Sequence, residues 1–262
     1  MSKTSVATLS GLKRRAQGAD RGGLAGSNWA PARREADGVS FERQAESGAW
    51  LVHVEAGVAA KWLDIIDDGS VVIKVVLEKG AALAWLVARS ESSSASCREV
   101  EVQMHEGSRL LLAEAFELGV DDCHGESIRV EMAGEGCHAE LVGRWAQGLG
   151  SQLCQESLGV IRKGAPRSFF DQSSKSLKKG DARLTLLEPN LRVEVDEARA
   201  NHGAAHGQVD EMSMHALMSR GLSRDLSSRL VVASFLGQAW KRAQASQEDL
   251  DRLGRKEDAS WI

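Results

Sequence analysis

Residues Ile73–Gly107 read IKVVLEKGAALAWLVARSESSSASCREVEVQMHEG. Within them Ile73, Val75 and Leu77 alternate with other residues, the period of 2 that turns every second side chain to one face of a strand. Gly80 follows, and then a second alternating set, Leu83, Trp85 and Val87. The cycle restarts with Val100, Val102 and Met104, which stand 27 residues after the first set and run into Gly107. Ile128, Val130 and Met132 come a further 28 residues on and are followed by Gly136. The second strands of these rungs hold Leu110 and Leu112, then Ala139 and Leu141. Leu158 and Val160 are expected to continue the first-strand phase, with Gly164 as the fourth corner.

Glycine between two short strands suits a sharp corner, because only glycine takes positive φ without a Cβ clash. Strand, corner, strand at near-constant spacing is what a solenoid requires: each rung covers the apolar edge of the next, and one rung alone cannot stay folded. The expected fold is mainly β, a right-handed parallel β-helix. An antiparallel sandwich or jelly roll also has short strands with regular turns and remains the alternative.

Upstream, residues 1–48 carry scattered glycines, Arg14-Arg15, Arg33-Arg34 and few bulky apolar side chains. They are expected to be a mobile leader, with order beginning shortly before Trp50. The β-helix core is assigned to residues 49–206, with Leu191–Val195 as its last clean alternating strand. Beyond it the period becomes helical, and residues 207–262 form a small C-terminal helical module. Ser223 is placed to cap a helix whose Leu226, Leu230, Ala233 and Trp240, flanked by Val231 and Phe235, make a broad apolar face. Gly221 separates it from a shorter helix over about 208–219.

Composition narrows the function. The 262 residues carry a formal charge of −4 and a pI near 6.0, the wrong balance for a duplex-binding surface. No apolar run has the length of a membrane helix and no signal-peptide core opens the chain, so the expected location is cytoplasmic. Cys97, Cys123, Cys137 and Cys154 include no C-x-x-C pair and are expected to be reduced. Cys123-His124 and Cys137-His138 offer soft and borderline metal ligands, although neighbouring residues of a strand point to opposite faces. There is no G-x-x-x-x-G-K-[ST] loop to bind nucleotide phosphates, and no G-x-S-x-G or H-E-x-x-H. A polysaccharide-cleaving β-helix would need a clustered acid pair, which the sequence does not offer.

The stretch Glu188–Gln208, EPNLRVEVDEARANHGAAHGQ, continues as VDEMSMHALMSRGLS. In it Pro189/Leu191/Val193, Asp196-Glu197, His202-Gly203-Ala204, Gly207–Glu211 and Ser219–Ser223 follow one another in the order of five C-terminal elements of the SufB/SufD family, which the chain resembles. Phe170–Leu177 is similar to that family's approach to its last rungs. Ala200 stands where the family often has cysteine, and Ala205 where it has threonine.

The resemblance implies a non-enzymatic scaffold component of iron–sulfur cluster assembly. It implies a SufC-like ABC ATPase docked on the helical module, here through Leu226, Leu230, Val231, Phe235 and Trp240, and no nucleotide bound by this chain itself. A second SufB/SufD-like subunit is implied as partner, in a homo- or heterodimer joined through the final rungs. His202 occupies the place of the family's implicated histidine and is the first choice for holding a transient iron–sulfur cluster; His206, Cys123 and Cys137 are further metal candidates. The alternative is a pure interaction protein that kept the fold and lost the cluster chemistry.

Overall fold

The computed structural model describes residues 38–253 except 45, 46 and 48. Its strands wind alternately into two facing sheets. One contains β1 (Val39–Arg43), β2 (Trp50–Val54), β4 (Gly69–Leu77), β6 (Ala95–Met104), β8 (Cys123–Met132), β10 (Gln152–Ile161) and β12 (Leu184–Val193), in that spatial order. The other contains β3 (Ala59–Ile66), β5 (Ala82–Arg89), β7 (Arg109–Leu118), β9 (His138–Gln147), β11 (Phe169–Lys178) and β13 (Arg199–Gln208). Every strand pairing among the described residues is parallel except β1 with β2. The architecture is therefore a parallel β-solenoid, and the antiparallel sandwich is excluded.

The sequence repeat maps onto the ladder. Ile73 lies opposite Val100 and Val100 opposite Ile128, while Leu83 lies opposite Leu110 and Leu110 opposite Ala139. These side chains fill the lumen between the sheets, where Trp62 and Trp85 stack with ring centroids 4.2 Å apart. Each large apolar side chain buried there contributes about 1.5–3 kcal/mol. Gly80, Gly107 and Gly136 take φ of 69°, 67° and 68° at successive corners, as the corner argument requires.

Two details of the repeat differ from expectation. Ser157 and Gly159, not Leu158 and Val160, lie opposite Ile128 and Val130. The Leu158/Val160 alternation is real but belongs to the outward face. The lumen position has been given to glycine because the Phe170 ring fills it: a Cβ at Gly159 would come within 2.6 Å of that ring. The positive-φ residue of the fourth corner is Arg167 at 57°, not Gly164, because this connection is longer than the earlier ones.

The boundaries also shift. β1 falls inside the expected leader, where it adds an antiparallel edge strand; residues 1–37 lie outside the described residues. At the other end the solenoid gains β13, beyond Leu191–Val195, the last clean alternating strand of the sequence. Helix α1 (Glu211–Met218) is capped by Asp210, whose side chain accepts from the backbone of Met212 and Ser213, and α2 (Arg224–Arg242) by Ser223. A short α3 (Gln247–Arg252) carries a capping box from Ser246 to Asp249. No helix among the described residues is long and apolar enough to cross a membrane.

The helices pack on the outer face of the β3–β13 sheet. Val232, Leu236, Ala239 and Trp240 of α2 are buried against Leu86, Ala113, Ala115 and Val142, with Val231 and Phe235 partly buried beside them. Lys61 reaches Asp249 of α3 at 2.8 Å and Arg242 pairs with Glu140.

Candidate functional site

β12 and β13 end their respective sheets, so the C-terminal end of the solenoid presents two strand edges with no further rung over them among the described residues. A ladder edge of this kind is a template for another strand, and proteins usually blunt it with proline or lysine. β12 carries Pro189 near its middle. β13, R-A-N-H-G-A-A-H-G-Q, has neither, and nearly all of it is exposed.

The direction of its free groups can be read from its bonds. Arg199 donates its backbone N–H to the Ser168 carbonyl at 3.0 Å, and Val209 to that of Lys178 at 3.1 Å. Backbone groups of successive strand residues point to opposite edges, so the odd-numbered residues bond β11 while Ala200, His202, Ala204, His206 and Gln208 aim theirs at the open edge. Register puts His202 over Gln172, Ala204 over Ser174 and His206 over Ser176. The side chains of Gln172, Ser174 and Ser176 are buried, and the last two histidines of the solenoid thus share the lumen face of its final strand.

Ser176 Oγ lies 3.0 Å from His206 Nδ1. Partial burial, and next the nearby charge of Lys178, lower the His206 pKa, which keeps its imidazole neutral. If Nδ1–H donates to Ser176, Nε2 is left with its lone pair, the form a metal takes. His202 and His206 are four strand residues apart, about 13 Å along the chain, too far for one ion to touch both rings.

Polar side chains continue inward from this end. Gln172 donates to Ser157 Oγ and, at 3.1 Å, to Ser174 Oγ, and Ser174 donates to Gln155 Oε1 at 3.3 Å. Gln155 lies beside Glu126 on the neighbouring strand. Deeper still, Arg98 donates to Glu114 at 2.9 Å, with Glu126 at 3.5 Å and Asp64 at 3.9 Å. Burial opposes the charge of Arg98, but Glu126, Glu114 and Asp64 outweigh it and hold the guanidinium firmly protonated. Burial, reinforced by the charge of Glu114, pushes the Glu126 carboxyl well above the usual carboxylate range. Nearby, His124 is held well below its ordinary value by burial and by Arg89 and Arg98. Sequence reading passed over this cluster, yet its signal was present: Arg98 and Glu126 stand two residues before Val100 and Ile128, in the lumen phase.

The cysteine candidates are placed elsewhere. Cys123 begins β8 on the outer face of its sheet, buried with Ala95, Cys97 and Cys154. Cys137 lies at the opposite end of β8, buried in the corner, with its thiol 3.1 Å from the carbonyls of both His105 and Gly134. Burial raises the pKa of Cys137, and that of Cys154 to about 12, so neither is a ready thiolate. The paired histidines diverge as well: His124 faces the lumen, whereas His138 stacks on Phe169 and meets Glu140 at 2.9 Å outside. The two Cys-His pairs therefore do not form a common site. Among the described residues, no three His, Cys, Asp or Glu side chains are grouped to hold a metal ion.

Of the five side chains expected to meet an ATPase, Trp240 is 4% exposed and packs on the sheet. Leu226 and Leu230 remain half-buried on the flank of α2, while Met212 of α1 is 80% exposed.

Comparison with known proteins gives consistent results. A family model described as SUF system FeS cluster assembly, SufBD core domain, matches residues 70–235. The chain is 33% identical over 79 residues to the iron–sulfur cluster assembly protein SufD of Bacillus subtilis, covering 30% of this chain and 18% of that protein. It is 30% identical over 108 residues to an iron–sulfur cluster assembly SufBD family protein of Archaeoglobus fulgidus (41% and 28%). It is 32% identical over 77 residues to another from Methanocaldococcus jannaschii (29% and 24%). The matched stretches span less than a third of the length of each of these relatives.

Proposed function

The chain belongs to the SufBD core family of the SUF system for iron–sulfur cluster assembly, and from that premise we propose that it is a non-enzymatic scaffold whose working surface is the open end of the solenoid. The observation that carries this reading is β13: an exposed, unblunted edge strand with His202 on its lumen face. Such an edge is suited to β-augmentation by a second copy or a related subunit. The imidazole of His202 would then stand at the seam, where iron and sulfide are assembled as cargo and released.

The four cysteines are buried in other parts of the fold, so imidazole rather than thiolate is what this chain would offer at that seam. In a helix-in-groove contact, a SufC-like ABC ATPase would bind the outward side of the α1–α2 hairpin, through Met212, Leu226 and Leu230, with Val231 and Phe235 at the margin and Trp240 bracing the helix from below. ATP-driven closure of that partner would move the hairpin and, through its packing on the β3–β13 sheet, reshape the seam.

Anaerobic reconstitution with ferrous iron and sulfide tests the proposal. Wild type should acquire the visible absorption of a cluster and His202→Ala should lose most of it. Equal cluster content in the two removes His202 from the mechanism. A second reading, an interaction subunit without cluster chemistry, is favoured by Ala200 in the place of the family's frequent cysteine. It would give capture of the ATPase with no cluster in either protein.

A further inference from the structure

Three of the four cysteines share the outer face of the β1–β12 sheet. Alternation sends Arg98, Glu126 and Gln155 into the lumen, so their neighbours Cys97, Gly125 and Cys154 point out, side by side in register across β6, β8 and β10. Cys123 stands one pleat before Gly125 on the same face. The next outward position of each strand makes a second row: Glu99, Ser127, Glu156 and, on β12, Glu188. Like charges directly opposed, as Glu156 and Glu188 are, destabilise a sheet, so this row calls for cations.

An outward face is ordinarily wet, yet Cys97, Cys123 and Cys154 are at most 1% exposed and Glu156 is 3% exposed. Gly125 is buried with them. The described helices do not account for this, because they pack on the opposite sheet. The buried cluster of Ala95, Cys97, Cys123 and Cys154, with Leu186 beside it, contains no helix residue.

Residues 1–37 have the charge that this face calls for. They contain seven Lys and Arg against three Asp and Glu, a net charge of +4, in a chain that carries −4 as a whole. The segment enters the described fold at Gly38 and β1, the edge strand of this same sheet. From β1 to β6 and to β12 there are three and six strand spacings, about 14 and 29 Å. A stretch of 37 residues, at about 3.3 Å each when extended, covers that span with length to spare. Residues 254–262 suit the face less well. They have two Lys and Arg against two Asp and Glu, and they follow helices packed on the opposite sheet.

We propose that residues 1–37 lie across the outer face of β6, β8, β10 and β12, where Arg14-Arg15 and Arg33-Arg34 meet Glu99, Glu156 and Glu188 and the segment seals Cys97, Cys123 and Cys154 from solvent. Guanidinium suits such a face, because it bonds carboxylates in a fork and is more weakly hydrated than ammonium. Gly125 leaves room between Cys97 and Cys154 for a side chain of the segment. Three thiols are thereby kept from oxidants and metal ions while the segment is in place.

The test uses the full chain, as a mixture of isotope-labelled and unlabelled protein treated with a carbodiimide that joins a lysine amine to a touching carboxylate. Peptide mass spectrometry should find Lys3 or Lys13 linked to Glu99, Glu156 or Glu188, within chains of one label. Absence of these links where Lys179 and Glu117, 2.6 Å apart, are joined overturns the proposal. Links between labelled and unlabelled chains would assign the cover to a second copy and overturn it as well. Thiol labelling with an aromatic disulfide gives a second readout. Arg14→Glu, Arg15→Glu, Arg33→Glu and Arg34→Glu together should speed labelling of Cys97, Cys123 and Cys154 about tenfold or more, with Cys137 in its corner unchanged. Adding Glu99→Arg and Glu188→Arg should restore the slow rate. Unchanged labelling in the fourfold variant, or no restoration in the sixfold one, overturns the charge pairing. A rise at Cys137 too would mean that the variant has lost its fold, and the wild-type cross-links then decide.

Discussion

Arg98 is 1% exposed at the centre of the lumen, among Glu114, Glu126 and Asp64. Removing one partner of a buried ion cluster leaves the others charged and unsolvated, so Arg98→Ala should lower unfolding free energy by about 3–5 kcal/mol, measurable by urea denaturation. The cluster also sets a pH dependence. The folded pKa of Glu126 lies above its unfolded value, so the folded state holds the extra proton. That contribution is complete below the ordinary carboxylate range and is lost as pH rises through the raised value. His124 works the other way: its folded pKa is lowered, so its contribution is present above about 6.5 and is lost as pH falls. Stability should therefore decline on both sides of an intermediate pH, and Glu126→Gln should flatten the alkaline limb. An alkaline limb unchanged by Glu126→Gln would contradict this assignment. These residues were readable only as members of a phase. Charge at a lumen position runs against the rule that alternation separates apolar from polar, so the strands were recognised from Val100 and Ile128 while their charged neighbours were not.

At the scale of the element, the legible features were those with a local physical cause. Corners were visible because Gly107 must adopt φ of 67°. Gly107→Ala should cost about 1–2 kcal/mol, whereas Gly203→Ala in β13, where φ is not positive and nothing lies within 4 Å of an added Cβ, should change thermal stability little. Helix α2 was visible from its cap and apolar face. β13 was not legible as a strand. Among the described residues no further rung closes on its lumen face, it has no large apolar alternation, and Gly203 and Gly207 have low strand propensity. That end position in the described sheet is what leaves His202 exposed. For the hairpin, Leu226→Asp should weaken capture of a SufC-like ATPase about tenfold or more with the far-ultraviolet circular dichroism unchanged. Unaltered capture would move the contact off this flank.

For the whole molecule, the 27- and 28-residue offsets gave away a stack of rungs because each strand must match the one below it residue for residue. What the repeat cannot encode is where the stack stops and what then meets its last edge, which depends on surfaces rather than on periodicity. The proposed scaffold role rests on β13 being a joining edge. Ala204 aims its N–H outward, away from β11, so proline there removes a donor from the open edge alone, the position at which a strand tolerates it. Sedimentation velocity on wild type and Ala204→Pro tests this most directly. Wild type should sediment at twice its 28.2 kDa chain mass and Ala204→Pro as a folded monomer. A monomeric wild type, or a variant that remains a dimer, would contradict it.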